Sequence, residues 1–177
     1  MRVFRSVTFL VLAGALAACA DHVVQPGEYS RYSPTFPSYA FAHGGLGVDV
    51  RGADPDIVRG LMRPPAWAKN YALVPVESGA IAASYRVVLE VNRASVSPCT
   101  TPALPGGPPE PLRGRVEIAA TLCVFDQVRS STIGHAADLS GTADPRLAAL
   151  LGSIVEELLP VIEPRADLRG VCPGQGC

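Results

Sequence analysis

Asp144-Pro145-Arg146-Leu147-Ala148-Ala149-Leu150-Leu151-Gly152-Ser153-Ile154-Val155-Glu156-Glu157-Leu158-Leu159-Pro160 is the stretch from which the fold is read. Asp before Pro is a helix start: the carboxylate can accept the first orphan N–H groups, and proline at the first turn loses no hydrogen bond. Leu147, Leu150, Leu151, Ile154, Val155, Leu158 and Leu159 then recur at helical spacing on one face, with Glu156 and Glu157 off the stripe, until Pro160 ends the helix. Burying each aliphatic is worth about 1.5–3 kcal/mol before entropy is subtracted, so the helix must lie on a second apolar layer. A helix lying on a bilayer would want several cations on its polar face, and this one has only Arg146.

Working outward, the second layer is a sheet. Tyr85-Arg86-Val87-Val88-Leu89-Glu90-Val91-Asn92 alternates, with Arg86, Glu90 and Asn92 expected on a wet face. Val116, Ile118, Ala120, Leu122 and Val124 share one face of another strand. A turn near Arg129-Ser130-Ser131 and a shorter strand from Thr132 to Leu139 would complete a hairpin. Ala40 to Val50 has strand spacing weakened by glycines, Tyr71 to Val76 is apolar, and Asp54-Pro55 opens a first helix over Ile57, Val58, Leu61 and Met62. Asp54 and Asp56 have the look of a calcium half-loop, but helix capping accounts for them. The expected fold is α+β: a small, mostly antiparallel sheet of four to five strands with two helices packed on one face. Its boundaries are a leader over 1–18, a flexible tether over 19–38, one domain over 39–163 interrupted by a Pro-rich loop at 95–114, and a tail over 164–177.

Composition narrows the function. The chain has 177 residues, 17 Gly and 17 Pro, so loops take a large share of a single domain. A formal net charge of −1 excludes the Lys/Arg excess that nucleic-acid binding demands.

The N-terminus carries an address. Met1, Arg2 and Arg5 precede an apolar run from Val7 through Leu16, too short to cross a bilayer as a helix and the length of an export signal. The sequence that follows, Leu16-Ala17-Ala18-Cys19, resembles the lipobox of bacterial lipoprotein precursors. The resemblance covers about the first 20 residues and implies cleavage before Cys19, a diacylglycerol with chains such as palmitate thioether-linked to its sulfur, and acylation of the new amino group. Two or three chains hold a protein on a membrane where one does not. In Gram-negative lipoproteins, Asp directly after the Cys retains the protein on the inner membrane. Ala20 occupies that place and Asp21 the next, so the periplasmic face of the outer membrane is expected.

Beyond Cys19, four cysteines in an oxidising compartment favour two disulfides, and the expected pairs are Cys99 with Cys123 and Cys172 with Cys177. The first carries a conflict. A simple antiparallel hairpin would put Cys123 beside Tyr85, about 25 Å from the loop mouth. The five steps from Ala94 to Cys99 reach only about 17 Å. On that reasoning the bridge requires parallel strands or a very different register. No metal site is expected, since two cysteines four apart without a neighbouring histidine are a weak zinc signal.

Catalytic signatures are missing: no G-x-S-x-G, H-E-x-x-H or Walker loop occurs. His135, on one face with Ile133, Ala137 and Leu139, is expected as a hydrogen-bonded core or edge histidine; the competing reading makes it a base, with Asp126 or Asp138 as its carboxylate, in an envelope hydrolase or a peptidoglycan-modifying enzyme. Trp67 is expected as a core plug rather than an exposed anchor. Pro65-Ala66-Trp67-Ala68, the Tyr85 to Asn92 strand, a cysteine pair and a late helix together are similar to a group of small uncharacterised alphaproteobacterial periplasmic proteins, which implies a periplasmic home and no mechanism. The element order is also similar to auxiliary envelope lipoproteins of lipid-transport systems, an analogy of fold alone. The expectation is a non-catalytic accessory or binding module without a cofactor, attached to the membrane through lipid on Cys19 and serving an envelope protein partner, with no nucleic acid and its oligomeric state open.

Overall fold

The computed structural model describes residues 22–100, 109 and 111–162. Seven strands form one sheet: β1 (His22–Val24), β2 (Glu28–Tyr29), β3 (Leu46–Arg51), β4 (Leu73–Pro75), β5 (Tyr85–Val91), β6 (Gly114–Val124) and β7 (Gln127–Leu139). They lie in the order β1-β7-β6-β5-β3-β4, with β2 also paired to β7. Pairings of β3 with β4 and β5 are parallel and the others antiparallel. Four α-helices accompany the sheet: α1 (Thr35–Ala42), α2 (Pro55–Leu61), α3 (Ala80–Ser84) and α4 (Pro145–Leu158). The class is mixed α and β with a mostly antiparallel sheet, as expected, but with more strands and helices than were read from the sequence.

Both Asp-Pro helix starts are capped. Asp54 accepts from the backbone N–H of Asp56 and Ile57, and Asp144 from that of Arg146. The α4 stripe is wholly buried, in one core with Val87, Leu89, Val91, Val116, Ile118 and Leu122. Its closest approach is to β7, where a Cβ added to Gly134 would lie 2.8 Å from side-chain carbons of Ile154 and Leu150.

The segment expected as a tether is folded from its fourth residue on. β1 and β2 extend the sheet beyond β7, α1 follows, and Tyr32 is 2% exposed. The cause is a set of anchors that hydropathy does not register. Tyr29 Oη donates to the Glu157 carbonyl at 2.6 Å and Tyr32 Oη to the Pro160 carbonyl at 2.7 Å. Burial, with Tyr29 adding to it, raises the Tyr32 pKa above the ordinary phenol value.

The β6–β7 turn falls at Phe125-Asp126 rather than near Arg129-Ser130-Ser131, so β7 is longer than expected. Thr and Ser suit a paired strand when they can reach a partner: Ser130 Oγ donates to the Leu158 carbonyl and Thr132 Oγ1 to that of Gln25, each at 2.7 Å.

The wet face expected on β5 is covered in part, with Asn92 exposed as expected and Arg86 half-buried. The chain after Val91 doubles back over it, sealing Val88 with Cys99 and Cys123, and Glu90 is 3% exposed. α3 seats on the same face, because Gly47 points away from its core-facing neighbours Leu46 and Val48 and towards Ala82.

Candidate functional site

The covered half of that second face holds a buried ionic cluster. Arg51 Nη2 donates to Asp49 Oδ2 at 2.7 Å and to the Pro98 carbonyl at 3.1 Å, while Nη1 lies 3.6 Å from Glu90 Oε1. Glu90 also accepts from the Ser95 N–H at 3.0 Å and the Ser95 hydroxyl at 2.6 Å. Ser95 and Pro98 both belong to the returning segment, so the cluster fastens 95–98 to the strands. Beside it opens a groove of about 220 Å³ lined by Glu28, Glu90, Ser95, Thr121, Ser131 and Ile133. With its carboxylate already occupied, Glu90 is a structural acid there.

Cys99 and Cys123 stand at disulfide distance, S–S 2.04 Å, although β5 and β6 are antiparallel and Cys123 pairs with Arg86. The conflict drawn from chain length therefore had the wrong premise. The returning segment lies on the face of β5 and needs to span only Val91 back to Arg86, about 17 Å, with eight residues available. Arg86 Nη2 donates to the Cys99 carbonyl and holds the turn in place. Cys19, Cys172 and Cys177 lie outside the described residues.

His135 lands elsewhere than expected. The core side of β7 carries Ser130, Thr132, Gly134 and Ala136, so His135 and Ile133 face the opposite way. Asp138, at φ 55°, breaks the alternation and returns Leu139 to the core. The cross-strand neighbours of His135 are Val23 and Glu117. Asp126 sits in the turn at the other end of β7, about 30 Å along the strand. The structure thus separates His135 from Asp126 and sets it beside a glutamate that the sequence reading had not singled out. Among the described residues no group of three or more His, Cys, Asp or Glu is placed to hold a metal ion. None of the described helices is long and apolar enough to cross a membrane.

An aromatic surface emerges at the end of the sheet where β5 begins and β6 ends. The Phe125 and Tyr85 rings are 5.7 Å apart, Tyr85 and Tyr39 5.4 Å, and Tyr39 stacks on His43 at 4.1 Å. Phe125 is 60% exposed and Tyr39 45%. Phe125 also holds φ 56°, a left-handed conformation costing a non-glycine residue about 1–2 kcal/mol. A second aromatic group, Phe41 with Trp67 and Tyr71, closes the rim of the core. Trp67 is half-buried there and its Nε1 donates to the Leu159 carbonyl at 2.9 Å, a plug with a satisfied polar edge.

An exposed row of rings at a strained turn offers large, rigid contact area with little side-chain entropy to lose, which is the chemistry of a protein contact rather than of bond cleavage. Tyr39, Tyr85 and Phe125 are 40 or more residues apart in sequence; the pairing of β5 with β6 brings Phe125 to Tyr85, and α1, packed against β3 and β5, adds Tyr39. No known family model, curated protein or solved structure matches the chain.

Proposed function

We propose that this protein is an exported envelope lipoprotein, held by lipid on Cys19 at the periplasmic face of the outer membrane, whose body is a non-catalytic binding module for an envelope protein. The observation that carries the binding role is Phe125: a large apolar ring, mostly exposed, in a costly backbone conformation, continuous with Tyr85 and Tyr39. Apolar exposure combined with local strain is retained where it contacts something. The localisation rests on the charge, apolar run and Leu16-Ala17-Ala18-Cys19 of the leader, and a cysteine pair at disulfide distance suits an oxidising compartment.

The test is site-specific photo-crosslinking in intact cells with a benzophenone amino acid at Phe125, Tyr39 or, as control, Glu117. One discrete protein adduct shared by Phe125 and Tyr39 and missing at Glu117 is expected. No adduct at either aromatic position, or equal yields at all three, would overturn the reading.

A further inference from the structure

The first strand begins at His22, three residues after Cys19, so the covalent chain between them spans at most about 11 Å. His22 pairs with Ala136, which pairs with Val116. The anchor therefore meets the body at the end of the sheet where β6 starts and β7 finishes, about 30 Å along β6 from Phe125. Among the described residues, the charged side chains at this end include Arg113 and Arg115, both exposed, with Arg93 just beyond β5, Glu117, Asp138, Asp144 and Arg146. Arg146 is occupied by Asp144 and the carbonyls of Ala137 and Asp138, whereas Arg113 and Arg115 flank Gly114 at the tip of the strand.

We infer that this end of the sheet, through Arg113 and Arg115, rests on the phospholipid headgroup layer that holds the lipid on Cys19, and that the aromatic row points away from the membrane. The inference rests on the reading of Cys19 as the lipid-bearing residue. Its grounds are the short covalent reach, which would confine one end of the body to the interface, and two exposed guanidinium groups at that end, a charge complementary to anionic phosphates and effective within a Debye length of them. The orientation leaves Phe125, Tyr85 and Tyr39 where a neighbouring envelope protein can reach them.

The experiment uses the full chain, purified with its own processed N-terminus and reconstituted into vesicles of phosphatidylethanolamine and phosphatidylglycerol, with a benzophenone amino acid at Arg115 or at Phe125. Lipid adducts at position 115 are expected to exceed those at 125 by about tenfold, because the two sites are a sheet length apart. The mass of the N-terminal peptide is read from the same sample. With lipid present on Cys19, equal adduct yields, or more at 125, would overturn the orientation alone. A Cys19 without lipid would overturn the anchor and the orientation with it. In a second variant with the benzophenone at Ala137, Arg113→Glu with Arg115→Glu should cut the lipid-adduct yield several-fold while leaving Cys19 lipidated and the thermal melt unchanged. An unaltered yield would refute the headgroup contact.

Discussion

Replacing Gly47 by alanine tests whether the second face of the sheet is sealed as described. A Cβ at this position would overlap the carbonyl oxygen of Ala82 and come 2.8 Å from its carbonyl carbon. Carbon atoms pack at about 3.5–4.0 Å, so α3 would have to withdraw by roughly 1 Å. The obstacle is backbone rather than a flexible side chain, and withdrawal also strains the contacts of α3 with its surroundings. Phe125 N–H donates to the Ser84 carbonyl at 2.6 Å, and Ala82 is buried. Overpacking a tight site costs about 1–3 kcal/mol, and with one backbone hydrogen bond disturbed the expected loss is about 3 kcal/mol. Gly152→Ala supplies the opposite sign. It lies inside α4 with nothing within 4 Å of its added Cβ, so it should stabilise by about 0.5–1 kcal/mol. The assay is urea unfolding of the chain from residue 20 onward, followed by Trp67 fluorescence and circular dichroism. If Gly47→Ala unfolds within about 0.5 kcal/mol of the parent, α3 does not sit on β3 and the account of this face is wrong.

Other outcomes follow from the same contacts. Cys99→Ala with Cys123→Ala opens a loop of sequence separation 24 and should cost about 3.5 kcal/mol by the chain-entropy relation; a loss near zero in oxidised protein would mean that the pair is not bridged. Leu151→Asp sets a carboxylate in the fully buried centre of the α4 stripe and should unfold the domain, read as loss of the thermal transition. Hydrogen bonds from Arg146 above all, and from the Ser140 backbone, hold the Asp144 carboxyl well below the usual carboxylate range. A lowered folded-state pKa contributes stability above the unfolded value of about 3.9 and loses it as pH falls further. Asp144→Asn should therefore flatten the acid limb of the melting-temperature profile below about pH 4, and an unchanged limb would count against the assignment. Glu157→Gln should weaken the seat of Gly27 and Tyr29 and expose the N-terminal segment to protease, although the residue lies off the apolar stripe.

How far the candidate surface was legible can be judged from its members. Each ring is visible in the chain, but Tyr39 directly follows the stretch read as a tether, Tyr85 opens a strand, and Phe125 follows the last residue of an alternating face. Tyr85 meets Phe125 through strand register, which local sequence does not encode when the connecting loop is long and rich in proline, and Tyr39 joins them through the packing of α1. His135 illustrates the same limit. Alternation assigned it a face by assuming that the apolar residues Ile133 and Leu139 mark the inside.

The sequence by itself determined whatever rests on local chemistry and period: the Asp-Pro helix starts, the buried stripe of α4, and the alternating strands β5 and β6. Those features repeat within one or two turns of chain, so neighbouring residues suffice to specify them. Tertiary structure alone decided the inside of β7, where α4 is so rich in leucine and isoleucine that the facing strand must supply Ser130, Thr132, Gly134 and Ala136 rather than further bulk. It also decided the fate of the second face, because a segment following Val91 can turn back over β5 and fasten itself through Ser95, Pro98 and Cys99. Volume and return path are properties of what a residue packs against, and no window of sequence contains them.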